Sequence, residues 1–238
     1  MVAPEKLLQH RPAMTDLAPQ RERLEKPTLT YPFAAAPDVG MLQPTMLFKN
    51  RPHHVNSTGI NLLSSGLARD RDFGRLDDPH VAVAEIFACT AGAGIYRAAM
   101  LDQVRLTTGV FDHTYFMYFE DVDLGWRCRL AGWRALHHPD VRVGHRYQAS
   151  SPRHGPKWVW RLCKRNHVRT LLKNASPHLM KQALTTVARS VAQAVVRERD
   201  CEMHMSDAFR DGWRQRSEVA ALITVPRREV EVRWLRGA

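Results

Sequence analysis

Tyr115-Phe116-Met117-Tyr118-Phe119-Glu120-Asp121-Val122-Asp123-Leu124 runs five large apolar or aromatic residues into three carboxylates within four positions. The aromatic run delivers its carboxylates to the start of a helix predicted over residues 121–131. Carboxylates suit the first turn of a helix, where unpaired N–H groups carry partial positive charge and favour the ionised form. On a helical wheel residues 120 and 123 point one way and 121 another, so the three acids need not share a role. Asp123 can cap the helix, and an ionised carboxylate beside a pocket can act as a general base. Gly132 stands where a left-handed C-terminal cap is wanted, and residues 134–136 and 141–145 read as extended.

Upstream, residues 39–48, 54–60 and 81–90 read as short strands, and 97–104 as a helix. The polar, turn-rich stretch 66–79 reads as a mobile loop, and its Asp70-Arg71-Asp72 as a chance match to a metal-gripping Asp-x-Asp. Residues 1–37 carry Pro4, Pro12, Pro19, Pro27, Pro32 and Pro37, leaving room only for short helices at 5–10 and 20–26. Downstream, a cationic stretch covers 158–173. Ser176 as N-cap and Pro177 at the first helical position then open a helix with an apolar stripe from Leu179, Met180 and Ala183 to Val195 and Val196. Val230, Val232 and Trp234 alternate with charged residues and predict a strand. The organisation expected is a lead-in segment (1–37), an α/β unit (38–148) and a basic, mainly helical extension (149–238).

The 238 residues are 44% hydrophobic and 25% charged, which excludes a wholly disordered chain. No apolar run approaches the roughly 20 residues of a spanning helix, and no secretory leader is recognisable, so a cytoplasmic protein is expected. Cys89, Cys128, Cys163 and Cys201 are widely spaced and read as reduced packing residues. Of the formal charge of +11, all the excess lies late: residues 1–145 hold 16 basic and 16 acidic side chains, 146–238 hold 19 and 8. Residues 146–181 carry nine cations and no acid, which calls for an anionic partner such as lipid headgroups, a pyrophosphate or nucleic acid, or else marks a solvated face. For nucleic acid the stretch lacks a recognisable reader, so that partner is not expected.

Around the acids stand Cys89-Thr90-Ala91-Gly92-Ala93-Gly94-Ile95-Tyr96-Arg97, Gly109-Val110-Phe111-Asp112, Trp126-Arg127-Cys128-Arg129-Leu130-Ala131-Gly132 and Pro139-Asp140-Val141-Arg142-Val143-Gly144-His145, with Asp38-Val39-Gly40 upstream. This order resembles the family 2 glycosyltransferases, in particular the rhamnosyltransferase-like branch that builds bacterial cell-surface polysaccharides, over about residues 38–148. The resemblance implies a partial glycosyltransferase A fold, a mixed sheet with flanking helices, and inverting transfer from a nucleotide-sugar donor to a saccharide or lipid-linked acceptor. It implies Asp121 as catalytic base with Glu120 in reserve, and Gly92, Ala93, Gly94, Arg97, Asp123, Trp126, Arg127 and Arg129 as donor or acceptor contacts. His145 is implied as a metal or diphosphate ligand, the metal being divalent magnesium or manganese if the donor site is completed elsewhere.

The family's first half, with its nucleotide-binding strands, has no counterpart here. The chain is therefore expected to be an acceptor-side half that is truncated or joined by a separate N-terminal half, with residues 146–181 placing it peripherally on the inner face of the cytoplasmic membrane. The alternative is a non-catalytic remnant that binds a membrane surface or a partner. Strand 39–48 is expected to form an exposed, aggregation-prone sheet edge.

Overall fold

The computed structural model describes residues 31–147, 155–198 and 205–236. The chain divides into two units, Met1–Ala36 and Pro37–Ala238. Within the first, Tyr31–Ala35 forms a single helical turn, α1. The helices expected at 5–10 and 20–26 lie outside the described residues.

The second unit is α/β. Its main sheet is built on β1 (Val39–Phe48), apolar at both ends around a central Gln43-Pro44-Thr45 and buried along nearly its whole length, as befits a strand covered on both faces. β1 runs parallel to β7 (Arg134–His145). On its other side it pairs antiparallel with β2 (Arg51–Ser57) at one end and β6 (Ile95–Tyr96) at the other. β5 (Ala84–Ile86) closes the far side of β7. The expectation of an exposed β1 edge is thus overturned: the chain itself supplies neighbours on both sides. Pro44 interrupts the ladder, and opposite it the register jumps from Pro44–His138 to Thr45–Arg142, so β7 bulges around Pro139.

A second sheet joins β3 (Ile60–Leu63) to β4 (Ala68–Asp70), antiparallel, and to β8 (Leu235–Arg236), parallel. The single strand read at 54–60 is therefore two, broken at Gly59, whose φ of +126° is open only to glycine. The stretch read as a mobile loop contains β4, and Asp72 accepts the Thr58 hydroxyl at 2.6 Å.

Between the sheets lies α3 (Glu120–Leu130), following α2 (Ala98–Gln103). Every residue of α3 from Val122 to Leu130 is buried. Gly125 meets Ala88 so closely that a Cβ there would overlap it. The helix ends as its sequence predicts: Gly132, at φ +87°, donates to Arg129 O and Trp133 to Cys128 O, closing the carbonyls in a Schellman motif.

Among the described residues four helices follow: α4 (Pro156–Asn174), α5 (Pro177–Glu198), α6 (Met205–Ala221) and α7 (Arg227–Trp234). One apolar core joins Ile60, Phe87 and Trp126 to Leu171, Leu179, Val219 and Trp234, so the helices pack directly on the α/β part. Ser176 Oγ accepts from Leu179 N at 3.2 Å, the expected N-cap. Residues 230–234 are helical where a strand was expected. Val230 and Trp234, four apart, are buried, while Val232 is 72% exposed on the opposite side.

Candidate active site

Phe116, Tyr118 and Phe119 all take positive φ, between 63° and 71°, which costs bulky residues energy unless the surroundings impose it. One side chain on α4 does so. The Asn166 amide donates to Tyr115 O at 3.0 Å, Met117 O at 2.8 Å and Tyr118 O at 2.9 Å. Arg165 and Arg169 add hydrogen bonds to Thr114 O at 2.9 and 2.7 Å. The turn so held launches α3 and sets its first carboxylates beside the strand-end segment at Ala91.

Asp121 Oδ2 accepts from Ala91 N at 3.2 Å and Oδ1 from Val122 N at 2.8 Å. Burial and the adjacent Glu120 charge push its carboxyl up to about 7 despite these two donors. Glu120 is raised as well, by burial, and its Oε2 has no hydrogen-bond partner among the described residues.

Opposite, His145 Nδ1 donates to Asn56 Oδ1 at 2.8 Å, which leaves Nε2 turned toward Gly92, 3.7 Å from where a Cβ on that glycine would stand. A side chain at Gly92 would also press on Met46. Gly92 is exposed and Ala93 and Gly94 are half-buried, so small residues leave the backbone open here. The Tyr96 hydroxyl stands next to Gly94, buried and without a partner among the described residues.

Asp70 joins this group although its sequence setting gave it no role. It closes β4 opposite Ile60. Burial raises its carboxyl, partly offset by Ser57 and by His145, and its charge reaches Asp121.

Of the other residues expected to touch a ligand, Asp123, Trp126, Arg127 and Arg129 lie inside the protein and Arg97 is half-buried. Asp123 and Arg127 are fully buried and paired at 3.0 Å. Lys173 bridges Asp123 at 2.9 Å and Asp112 at 2.8 Å, and Asn174 donates to Asp123 at 2.8 Å. Burial would raise both acids, yet Lys173 together with Thr114 holds Asp112 down to about 2, and Lys173 together with Arg127 and Asn174 holds Asp123 below its ordinary value. Arg127 also donates to Val104 O and Val110 O. Arg129 donates to Phe87 O, Ile86 O and Glu85, and its guanidinium covers the Trp234 ring. Trp126 packs edge-on against Phe87. Arg97 donates from Nε to Val39 O at 2.9 Å and pins the start of β1. These five residues build the frame and leave Gly92, Ala93, Gly94, Glu120, Asp121 and His145 around the open part.

The cationic run 146–181 is likewise not one solvated face. Arg169 and Lys173 are interior, Arg169 pairing with Asp211 at 3.0 Å, and Arg165 is spent on carbonyls. Arg153 lies outside the described residues.

Among the described residues no three His, Cys, Asp or Glu side chains are placed to hold an ion, so these residues do not by themselves complete a site for the implied divalent metal. His145 holds Asn56 through Nδ1 and keeps Nε2 open, as a histidine ligand does. No helix among the described residues is long and apolar enough to cross a membrane. Cys89, Cys128 and Cys163 are free thiols.

No family model matches the chain. A stretch of 45 residues is 49% identical to an N-acetylglucosaminyl-diphospho-decaprenol L-rhamnosyltransferase of Mycobacterium tuberculosis, with the same match in strains CDC 1551 / Oshkosh and ATCC 25618 / H37Rv. It covers 19% of this chain and 15% of each relative. The likeness points to a glycosyltransferase-like relationship over that short stretch.

Proposed function

We propose that this chain carries the acceptor-side part of an inverting glycosyltransferase site of glycosyltransferase A type, with Asp121 as general base. The observation that carries the reading is the Asp121 carboxylate: oriented by two backbone N–H groups, beside small residues, and raised to about 7 by burial and Glu120. A base is most effective when its proton affinity matches the working pH. The mixed α/β sheet with flanking helices is compatible with the fold, and the short match supports the reaction class. By analogy with those relatives the sugar is L-rhamnose and the acceptor an N-acetylglucosaminyl-diphospho-prenol.

In the step proposed, Asp121 takes the proton of an acceptor hydroxyl as that oxygen bonds the anomeric carbon of the donor sugar. The bond from that carbon to the nucleoside diphosphate breaks, and the diphosphate leaves with the electron pair. Glu120 keeps the Asp121 proton affinity high, and Gly92 to Gly94 let the sugar approach the backbone.

The test is transfer by the full chain, with the nucleotide-binding half of such an enzyme supplied in trans, from nucleotide-linked L-rhamnose to a short-chain N-acetylglucosaminyl-diphospho-prenol, read by mass spectrometry. Product is expected, and Asp121→Asn should slow its formation by about 10²–10⁴-fold. Absence of product with the unaltered chain, or turnover unchanged in the variant, overturns the reading.

A further inference from the structure

We propose that the groove just past His145 is a diphosphate-binding subsite. At this end of the sheet Phe48, Phe73 and Tyr147 meet edge to face, with ring centroids 5.3, 5.6 and 5.4 Å apart. Beside them opens a cavity of about 390 Å³ lined by Phe48, Lys49, Asn50, Arg51, Arg146 and Tyr147, a volume in the range of small-ligand sites. Three cations and no carboxylate line it.

These cations come from two separate parts of the chain that the fold brings together. Lys49 and Arg51 sit at the β1–β2 turn and Arg146 directly follows β7. The two are tied by the register of Phe48 with His145 and by Lys49 N donating to His145 O at 2.9 Å. Arg51 lays its guanidinium over the Phe48 ring at 4.7 Å, which holds the planar head on the groove wall. None of the acids of the adjoining segment lines the groove: Asp72 is engaged with Thr58, Arg71 and Arg75, Asp77 with Arg142, Asp70 with Ser57, and Asp78 accepts from His80 N. The groove therefore keeps its positive charge.

A ligand for it must carry more than one negative charge over a short span. Guanidinium forks match phosphate oxygens in pairs, and an ammonium adds a point charge. Two linked phosphates satisfy three cations, and the aromatic wall suits the carbon skeleton next to them. The part this subsite plays in transfer rests on the function proposed above, where either substrate carries a diphosphate: the nucleotide-linked donor or the prenol-linked acceptor. Binding itself does not depend on it.

Titration calorimetry on the full chain at low salt, with inorganic pyrophosphate, uridine diphosphate and farnesyl diphosphate, tests this. Pyrophosphate should bind once per chain, and Lys49→Ala/Arg51→Ala/Arg146→Ala, all at exposed positions, should weaken it by about tenfold or more. Tighter binding of farnesyl diphosphate assigns the subsite to the acceptor, and tighter binding of uridine diphosphate assigns it to the donor. Lys181→Ala/Arg189→Ala, on the exposed face of α5, should leave binding unchanged. No pyrophosphate binding, equal binding by the triple variant, or equal weakening by the α5 pair overturns the proposal. A chain that binds here yet transfers no sugar keeps the subsite and overturns only the transfer reading.

Discussion

Ala91 donates its backbone N–H to Asp121 Oδ2 across 30 residues of chain, so the proposed base is oriented by the strand-end segment it faces. Backbone orientation survives side-chain substitution, and the titration of Asp121 can therefore be shifted without displacing it. Glu120→Gln removes the neighbouring charge and should lower the Asp121 midpoint from about 7 toward the ordinary range. Carboxyl carbon shifts across a pH series read this directly, and an Asp121 midpoint near 4 in the unaltered chain would refute the assignment.

The same elevation has a sign in stability. A carboxyl whose folded pKa lies above its unfolded value of 3.8 stabilises the fold while protonated, and that contribution is lost as pH rises from about 4 to about 7. Asp121→Asn should accordingly raise Tm at pH 8 and change it little at pH 4. A lower Tm at pH 8 would contradict the burial argument.

Lys173 is the only cation that touches Asp112 among the described residues, and it shares Asp123 with Arg127. Lys173→Met should cost about 3–5 kcal/mol, because it leaves a carboxylate buried without its counter-charge. Urea unfolding at pH 7 measures the loss, and a change below about 1 kcal/mol would rule out the bridge. Asp112, held down to about 2, adds stability above pH 3.8 that disappears as pH falls toward 2.

Gly125→Ala should destabilise by about 1–3 kcal/mol, since its methyl would overlap Ala88. Adding Ala88→Gly should return most of that. Equal losses in the single and double variants would show that the clash is not the cause.

Asn166→Ala withdraws the donor from three carbonyls of the aromatic turn. A loss of about 2 kcal/mol is expected, together with a kcat that falls more than KM rises, because α3 would lose its launch geometry. A parallel rise in KM with kcat unchanged would remove Asn166 from the positioning of Asp121.

Much of this was legible locally. The largely apolar stretch of β1, the acids opening α3, the Gly132 cap and the Ser176 cap each state their structure within a few residues. What escaped was non-local. Val230, Val232 and Trp234 fit period two as well as a helix that uses only 230 and 234, and the Glu231 carboxylate that accepts from Ser176 N and Oγ decides between them from 55 residues away. Asp70 enters the site through pairing with Ile60, which no local pattern announces. The interior use of the cationic run did leave a trace: Arg165, Arg169 and Lys173 recur at every fourth residue, with Asn166, Thr170 and Asn174 beside them. That spacing draws one polar stripe on α4, and a stripe can face acids inside a protein as readily as it faces water.

The ion chain Asp112–Lys173–Asp123 also limits how the acidic helix could be transplanted. Moved into another scaffold with only its flanking strands, α3 would bring the buried Asp123, with Arg127 and Arg129, into a core that lacks Lys173 and Asn174. The portable unit is α3 with the turn before it and the polar stripe of α4, since the stripe that neutralises the helix also sets its direction.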